Sequence, residues 1–165
     1  MKEYLLVDGY NVLFNWPETG KSADLDHARA RLVLLLVNYA GLTGQEVIVV
    51  FDAHRVPGGI AHSEKVAGVE VIFTAEGETA DAVIERLCGR LAKEGTVRVV
   101  TADWAEQRIA FGQGAYRMPP REFWAMLREI DSKKLLSSGE KPADGYLENR
   151  LDEEVRRALE ALRRR

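Results

Sequence analysis

Residues 3–11 read EYLLVDGYN and combine a buried strand with an acidic end. Leu5, Leu6 and Val7 are apolar without alternation, which is typical of a strand covered on both faces. The run stops at Asp8, and a glycine follows at once. Because aspartate is also common in ordinary turns, this stretch indicates a function only if other acids lie at the same place.

The same pattern returns twice further along the chain. The apolar segment EVIVVFD ends at Asp52, and TVRVVTAD ends at Asp103. A further buried strand, VEVIFT, covers residues 69–74. Helical patterns separate these strands, which predicts a parallel sheet with helices on both faces. Right-handed crossovers place the carboxyl ends of all the strands at one edge, so Asp8, Asp52 and Asp103 are expected there together.

Helices, a loop and a short fifth strand complete the predicted α/β pattern. Apolar spacing predicts a first helix from Asp24, its cap, to about Ala40, with Gly41 as the stop. The other predicted elements are helices over about 78–94, 104–111 and from 119 onwards, a loop over 53–65 and a strand over 115–118. We expect a domain over residues 1–136, followed over residues 137–165 by a linker and an amphipathic C-terminal helix.

Length and composition indicate one globular protein of ordinary type. The chain has 165 residues, 46% hydrophobic and 30% charged, with a formal net charge of −3. No apolar run approaches the ~20 residues of a membrane span, and the start lacks a signal-peptide pattern, so we expect a cytoplasmic protein without a membrane partner. Cys88 is the only cysteine, which excludes an internal disulfide and a multi-cysteine metal site. The negative charge argues only weakly against nucleic acid, because acids gathered around cations leave the remaining surface less acidic.

Two more acids are expected beside the three strand-ending aspartates. Glu78 and Asp81 are three residues apart in the first turn of the predicted second helix, which starts from the same edge. Carboxylates packed together repel one another unless a cation is present, and oxygen ligands suit Mg²⁺ or Mn²⁺. One or two such ions can activate a water and stabilise the leaving oxygen of a phosphodiester. Each acid alone could equally be a turn residue or a helix cap, and only their convergence favours a metal site.

Two polar residues beside these acids have both a functional and a structural interpretation. Asn11 could hold Asp8 by a hydrogen bond or contact the substrate, or it could only tie down a turn. Thr101 could orient Asp103 or coordinate a cation through water. The sequence leaves these alternatives open.

The motifs VDGYN, VFDA, ETADAVIE and VTADWAEQ, in this order, resemble those of the NYN-domain family, specifically its YacP-like branch. This branch is related to the PIN-domain ribonucleases, and the similarity extends from about Glu3 to Ile130. The resemblance implies a PIN-like three-layer α/β/α sandwich with a parallel five-stranded sheet of order 3-2-1-4-5. The sequence departs from the family pattern at Ala102, where a serine is frequent, and at Pro119 and Pro120, where a serine cap is more typical.

The resemblance also implies an activity, a cofactor and partners. It implies a Mg²⁺- or Mn²⁺-dependent endoribonuclease that hydrolyses RNA to 5′-phosphate and 3′-hydroxyl ends. Asp8, Asp81 and Asp103 would be the central metal ligands, with Glu78 completing the acidic pocket and Asp52 beside it. The substrate would be single-stranded mRNA, and YacP-like proteins are associated with the ribosome and mRNA decay.

Contacts to RNA require cationic and aromatic side chains around the acids. Seven residues are expected to bind the substrate: Asn11, Thr101, His54, Arg55, Lys65, Arg117 and Arg121. Tyr10, Trp16 and Trp104 could stack on bases, although such aromatic residues more often belong to a core. The loop residues His54, Arg55 and Lys65 could equally be exposed to solvent without binding RNA, as could the arginines at the C-terminus.

Two other classes of protein compete with a nuclease. A non-catalytic RNA- or ribosome-binding module with the same fold is disfavoured because it has no reason to keep mutually repelling carboxylates. A phosphotransfer or phosphatase domain on a similar sheet fits poorly, because a dehalogenase-like phosphatase requires an aspartate at the position of Tyr10. The sequence does not determine the RNA target or the oligomeric state.

Overall fold

The computed structural model describes residues 1–16, 24–53, 57–102, 115–138 and 153–163. The strands are β1 (Lys2–Asp8), β2 (Glu46–Phe51), β3 (His62–Val66), β4 (Val69–Phe73), β5 (Gly95–Val100) and β6 (Ala115–Met118). The helices within the described residues are α1 (Gly9–Phe14), α2 (Leu25–Thr43), α3 (Ala80–Leu91), α4 (Pro120–Ser138) and α5 (Glu153–Arg163). None of these helices is long and apolar enough to cross a bilayer.

The strands form one sheet of order β3-β4-β2-β1-β5-β6. The five strands that the sequence predicted pair in parallel and in the expected order, with β1 in the centre. The α/β prediction is therefore confirmed, and the sheet has six strands within the described residues, where five were predicted.

The additional strand β3 is an antiparallel edge strand in a segment that was predicted as a loop. It forms a hairpin with β4 through Ala67 and Gly68, whose φ angles of 45° and 88° fit a tight two-residue turn. Its sequence, HSEKV, buries only its last residue, because an edge strand has little core to cover. For that reason it carries no apolar signal that could predict it.

The two faces of the sheet bury different side chains of β1. Leu5 and Val7 lie in a core with α2, α4 and α5, whereas Tyr4 and Leu6 lie in a core with α3. The chain passes from β1 to β2 through α2 and from β4 to β5 through α3, on the opposite face. The strand order therefore reverses between β1 and β5, and this switch point is where open α/β sheets bind ligands.

Several boundaries differ from the predicted ones. Asp24 caps α2 as expected, with its side chain accepting from the Asp26 amide at 3.1 Å. The helix continues past Gly41 to Thr43 and ends at Gly44, whose φ of 72° terminates it in the left-handed conformation. The short helix α1 was not predicted, and the helix predicted over 104–111 lies outside the described residues.

The C-terminal helix α5 packs against α2 and β3. Leu159 and Leu162 are buried in the same core as Leu5 and Val7. The boundary predicted at residue 137 falls within α4, and the division into 1–136 and 137–165 stays a prediction.

Candidate functional site at the switch point

Asp8 is the last residue of β1, at the switch point of the sheet. It is 7% exposed, because β2 and β5 flank it on both sides. The residue precedes α1 at the cap position, but its side chain makes no capping hydrogen bond to that helix. The alternative of a simple helix cap therefore does not describe Asp8, and burying a carboxylate requires a compensating charge or donor.

Asn11 spans the switch point from α1 to the end of β5. Its side-chain oxygen Oδ1 accepts the backbone N–H of Ala102 at 2.9 Å. Thr101 is 1% exposed, its N–H donates to the Met118 carbonyl at 3.2 Å, and its own carbonyl accepts from Arg117 Nε at 3.1 Å. The backbone that leads to residue 103 is thus held by α1 on one side and by β6 on the other.

Asp103 itself lies outside the described residues, as does Trp104. The structure therefore places the segment immediately before the acid and leaves the acid's own position as a prediction. The described bond of the Asn11 side chain uses its oxygen Oδ1, whereas a bond to the Asp8 carboxylate, one of the alternatives that the sequence left open, would use its Nδ2.

Asp52 follows β2 directly and reaches the start of α3. Its Oδ2 accepts the backbone N–H of Ala80 at 3.0 Å, while Thr79 accepts from the amide of Ala82 at 3.3 Å. A carboxylate in this position stabilises the helix by satisfying a free amide and by facing the positive end of the dipole. Asp52 therefore has a structural role at the start of α3, and its place in the acidic pocket stays a prediction.

Asp81 and Glu78 lie on either side of the beginning of α3. Asp81 is in the first turn and is partly buried. Glu78 precedes the cap residue Thr79, so the prediction that it lies within the helix is wrong. The Glu78 carboxylate instead forms an ion pair with Arg86, with Oε2 and Nη1 3.3 Å apart.

The donor chemistry of this edge suits a hard divalent cation, since Asp8, Asp52 and Asp81 offer only carboxylate oxygens. Within the described ranges, no three His, Cys, Asp or Glu side chains are grouped closely enough to hold a metal ion. The predicted ligand set also includes Asp103, outside those ranges, so the complete set stays a prediction.

The predicted substrate-binding residues are distributed unevenly. Arg117 lies beside Thr101 at the switch point, and Arg121 is exposed in the first turn of α4. Lys65 is exposed on β3 and lies opposite Glu70 in the strand register, near the start of β4. The structure therefore places it away from the acids at the carboxyl ends of the strands. His54 and Arg55 lie outside the described residues.

The aromatic residues that were predicted to stack on bases also differ in their positions. Trp16 is 5% exposed and stacks on Trp124 with centroids 4.2 Å apart and planes at 11°, so it belongs to the core. Tyr10 is partly buried and packs on Phe51 with centroids 5.1 Å apart. Of these two residues, only Tyr10 remains a candidate for stacking on a base beside Asp8.

Arg29 is a buried residue that the sequence reasoning missed. It is 6% exposed and donates to Tyr10 Oη at 2.9 Å, to Asp26 Oδ1 at 2.8 Å and to the Leu162 carbonyl at 3.0 Å. The helical spacing to Leu32 and Leu36 puts position 29 on the buried face of α2, which is the signal that could have found it. Arg29 thereby connects α5 to the first helix of the site.

Comparisons with known proteins agree on one family. The family described as the YacP-like NYN domain matches residues 5–164. The chain is 41% identical to the "Uncharacterized protein YacP" of Bacillus subtilis (strain 168), over 98% of this chain and 97% of that protein. It is also similar to the crystal structure of Rae1 (YacP) from Bacillus subtilis, with a TM-score of 0.69 and 36% identity over 98% of this chain and 94% of that one. A mutant of Rae1 gives a TM-score of 0.67 and 36% identity, over 96% of this chain and 98% of that one.

Proposed function

This chain belongs to the YacP-like NYN domain family, and from that membership we propose that it is a divalent-metal-dependent endoribonuclease. It hydrolyses phosphodiester bonds of single-stranded RNA with Mg²⁺ or Mn²⁺ as cofactor. Its physiological role is in the decay of mRNA in association with ribosomes.

The observation that carries the proposal is the position of Asp8 at the switch point. The carboxylate lies at the end of the central strand and does not cap the helix that follows it. Carboxylate oxygens are the ligands that Mg²⁺ and Mn²⁺ prefer. Asp8 therefore supports a site for a cation at the edge where α/β sheets bind their ligands.

Each residue at this edge has a role in the proposed reaction. Asp8, Asp81 and Asp103 hold the metal, with Glu78 and Asp52 adding negative charge at the start of α3. The cation supplies the positive charge that activates water and stabilises the leaving oxygen. Asn11 is a positioning residue, because its bond to Ala102 fixes the backbone just before Asp103.

A second candidate is a non-catalytic module that binds RNA or the ribosome. It is favoured by the contacts of two predicted site acids, since Asp52 caps α3 and Glu78 pairs with Arg86. Calorimetric titration separates the two functions, because a binding module gives no heat with Mn²⁺ whereas the nuclease does.

The test of the proposal is cleavage of an end-labelled single-stranded RNA with Mn²⁺, Mg²⁺ or EDTA, with and without ribosomes. We expect cleavage with either metal, none with EDTA, and a loss of at least about 100-fold in Asp8→Asn and Asp81→Asn. Glu85→Gln is the matched control, because Glu85 is exposed on α3 one turn after Asp81. A wild-type protein that leaves RNA intact in every arm, or an Asp8→Asn variant of full activity, contradicts the proposal.

A further inference from the structure

A row of aromatic rings runs along the carboxyl edge of the sheet. Phe51 and Phe73 end β2 and β4, and their centroids are 5.6 Å apart. Tyr10 packs on Phe51 at 5.1 Å, and Phe14 follows Tyr10 at 6.4 Å. At the other end, the exposed His62 stacks on Phe73 at 4.8 Å with planes at 17°. The middle of the row is buried, and both of its ends face solvent.

The helix α1 and the Tyr10 ring next to Phe14 are held by close contacts. A Cβ on Gly9 would lie 2.4 Å from the Phe51 ring, so α1 approaches that ring as closely as a glycine permits. Arg29 on α2 donates to Tyr10 Oη at 2.9 Å and restrains the tyrosine ring. Phe14 itself is 78% exposed. The exposed ring of Phe14 therefore lies beside Tyr10, a ring that Phe51 and Arg29 hold in place.

The position of Phe14 distinguishes it from a scattered surface residue, which alone needs no explanation. The helix α1 begins directly after Asp8, and the five steps from Gly9 to Phe14 span about 7.5 Å at the rise of an α-helix. A strand whose phosphodiester lies at Asp8 is therefore long enough to reach Phe14 within a few nucleotides.

We propose that Phe14, supported by Tyr10, is a stacking platform for an unpaired base of single-stranded RNA. The inference rests on the proposed function and adds that the substrate must present unstacked bases next to the cleaved bond. Stacking on an aromatic ring is tolerant of sequence, because every base has a π-face. A duplex keeps its bases stacked inside and offers none to this ring.

The test compares the affinity of the full-length protein for two labelled oligomers in EDTA at low salt. One is a single-stranded oligouridylate, and the other is an abasic ribose-phosphate strand of the same length. We expect Phe14→Ala to bind the oligouridylate about 5- to 100-fold more weakly and the abasic strand as the wild type does. Phe14→Trp keeps a ring and is expected to retain the wild-type affinity. The control Leu42→Ala removes an apolar residue that is 56% exposed near the end of α2, at the opposite edge of the sheet.

Three results overturn the proposal. In the first, wild type does not prefer the oligouridylate over the abasic strand. In the second, Phe14→Ala binds both oligomers as wild type does or weakens both equally. In the third, the wild type self-associates and Phe14→Ala abolishes the association, which would make Phe14 a contact between copies of the chain.

Failure of this inference is separate from failure of the proposed function. An enzyme that cuts RNA with Mn²⁺ while Phe14→Ala leaves base-dependent affinity unchanged is a nuclease without this platform. A protein that binds bases through Phe14 and never cuts RNA has the platform and not the activity.

Discussion

Gly9 lets α1 begin immediately after Asp8 while lying against a buried aromatic ring. A methyl group at this position would meet Phe51 Cε1 at 2.4 Å and Cδ1 at 2.5 Å. Because Phe51 is completely buried, its ring cannot swing into solvent to make room. The absence of a side chain at residue 9 thus determines where the helix that carries Tyr10 and Asn11 lies.

We expect Gly9→Ala to lower the free energy of unfolding by about 1–3 kcal/mol, which is the usual cost of overpacking. The control is Gly41→Ala, because Gly41 lies inside α2 with no atom within 4 Å of its added Cβ. That change is expected to raise stability by about 0.5–1 kcal/mol through helix propensity. Urea denaturation measures both, and equal effects of the two substitutions would contradict the account of residue 9.

At the scale of an element, α3 shows how one acid can serve structure and chemistry together. Asp52 Oδ2 accepts the Ala80 amide, and this bond fixes the start of the helix whose first turn contains Asp81. An asparagine keeps a side-chain oxygen for that bond but removes the charge that a cation would use. The pair of variants Asp52→Asn and Asp52→Ala therefore separates capping from metal binding.

We expect Asp52→Asn to change the free energy of unfolding by less than about 0.5 kcal/mol, whereas Asp52→Ala lowers it by about 0.5–2 kcal/mol. Both variants should require more Mn²⁺ for half-maximal cleavage if Asp52 belongs to the acidic pocket. Thermal unfolding and a Mn²⁺ titration of cleavage give the two readouts. An Asp52→Asn enzyme with an unchanged Mn²⁺ requirement would leave Asp52 with the capping role alone.

The helix α5 is held in place by the buried guanidinium of Arg29 as well as by apolar contacts. Arg29 binds the Leu162 carbonyl near the end of α5, where the helix dipole favours positive charge. The same guanidinium reaches Tyr10 on α1, so the two helices share one donor. Its ion-pair partner Asp26 is half exposed, which makes the salt bridge itself a minor contribution.

We expect Arg29→Met to lower the free energy of unfolding by about 1–3 kcal/mol, because buried acceptors lose their donor. Asp26→Asn should lower it by less than about 1 kcal/mol, since that pair is largely solvated. Amide hydrogen exchange should also show faster exchange in α5 for Arg29→Met and not for Asp26→Asn. Equal protection of α5 in both variants would mean that its apolar face suffices to hold it.

For the molecule as a whole, the sheet was predictable because its central parallel strands β1 and β2 are buried on both faces. The apolar runs of β1 and β2 are continuous, and that of β5 is interrupted only by Arg98, so all three strands can be identified from the sequence. The end of each run then identifies its final acid, since the carboxyl ends of parallel strands share an edge. The cap at Asp24 was predictable for a similar reason, because capping depends on local sequence.

What the sequence could not predict depends on tertiary contacts. The strand β3 exists because β4 offers it an unpaired edge, and its own residues are mostly polar. The burial of Arg29 requires α5 to supply a carbonyl from 133 residues further along the chain. The position of Glu78 outside α3 follows from Thr79 being the better cap, a competition between neighbours that spacing alone does not resolve.

The stability of the whole fold should decrease at alkaline pH because two buried tyrosines resist ionisation. Burial raises the pKa of Tyr4 above its usual value of 10.0, and its hydrogen bond to Glu94 Oε2 at 3.0 Å raises it further. Burial likewise raises the pKa of Tyr39, whose hydroxyl donates to Gln45 at 2.8 Å. Above pH 10 the unfolded chain therefore releases protons that the folded chain retains, so stability is complete below pH 10 and falls as the pH rises.

This prediction is tested by unfolding temperatures between pH 8 and pH 11, measured for the wild type and for a Tyr4→Phe/Tyr39→Phe variant. Phenylalanine cannot ionise, so we expect the variant to lose less stability than the wild type above pH 10, whatever its stability at pH 8. The control Tyr116→Phe should follow the wild-type curve, because Tyr116 is 61% exposed and lies outside the core. Parallel curves for all three proteins would show that alkaline unfolding begins elsewhere, and a steeper curve for the double variant would reverse the sign of the argument.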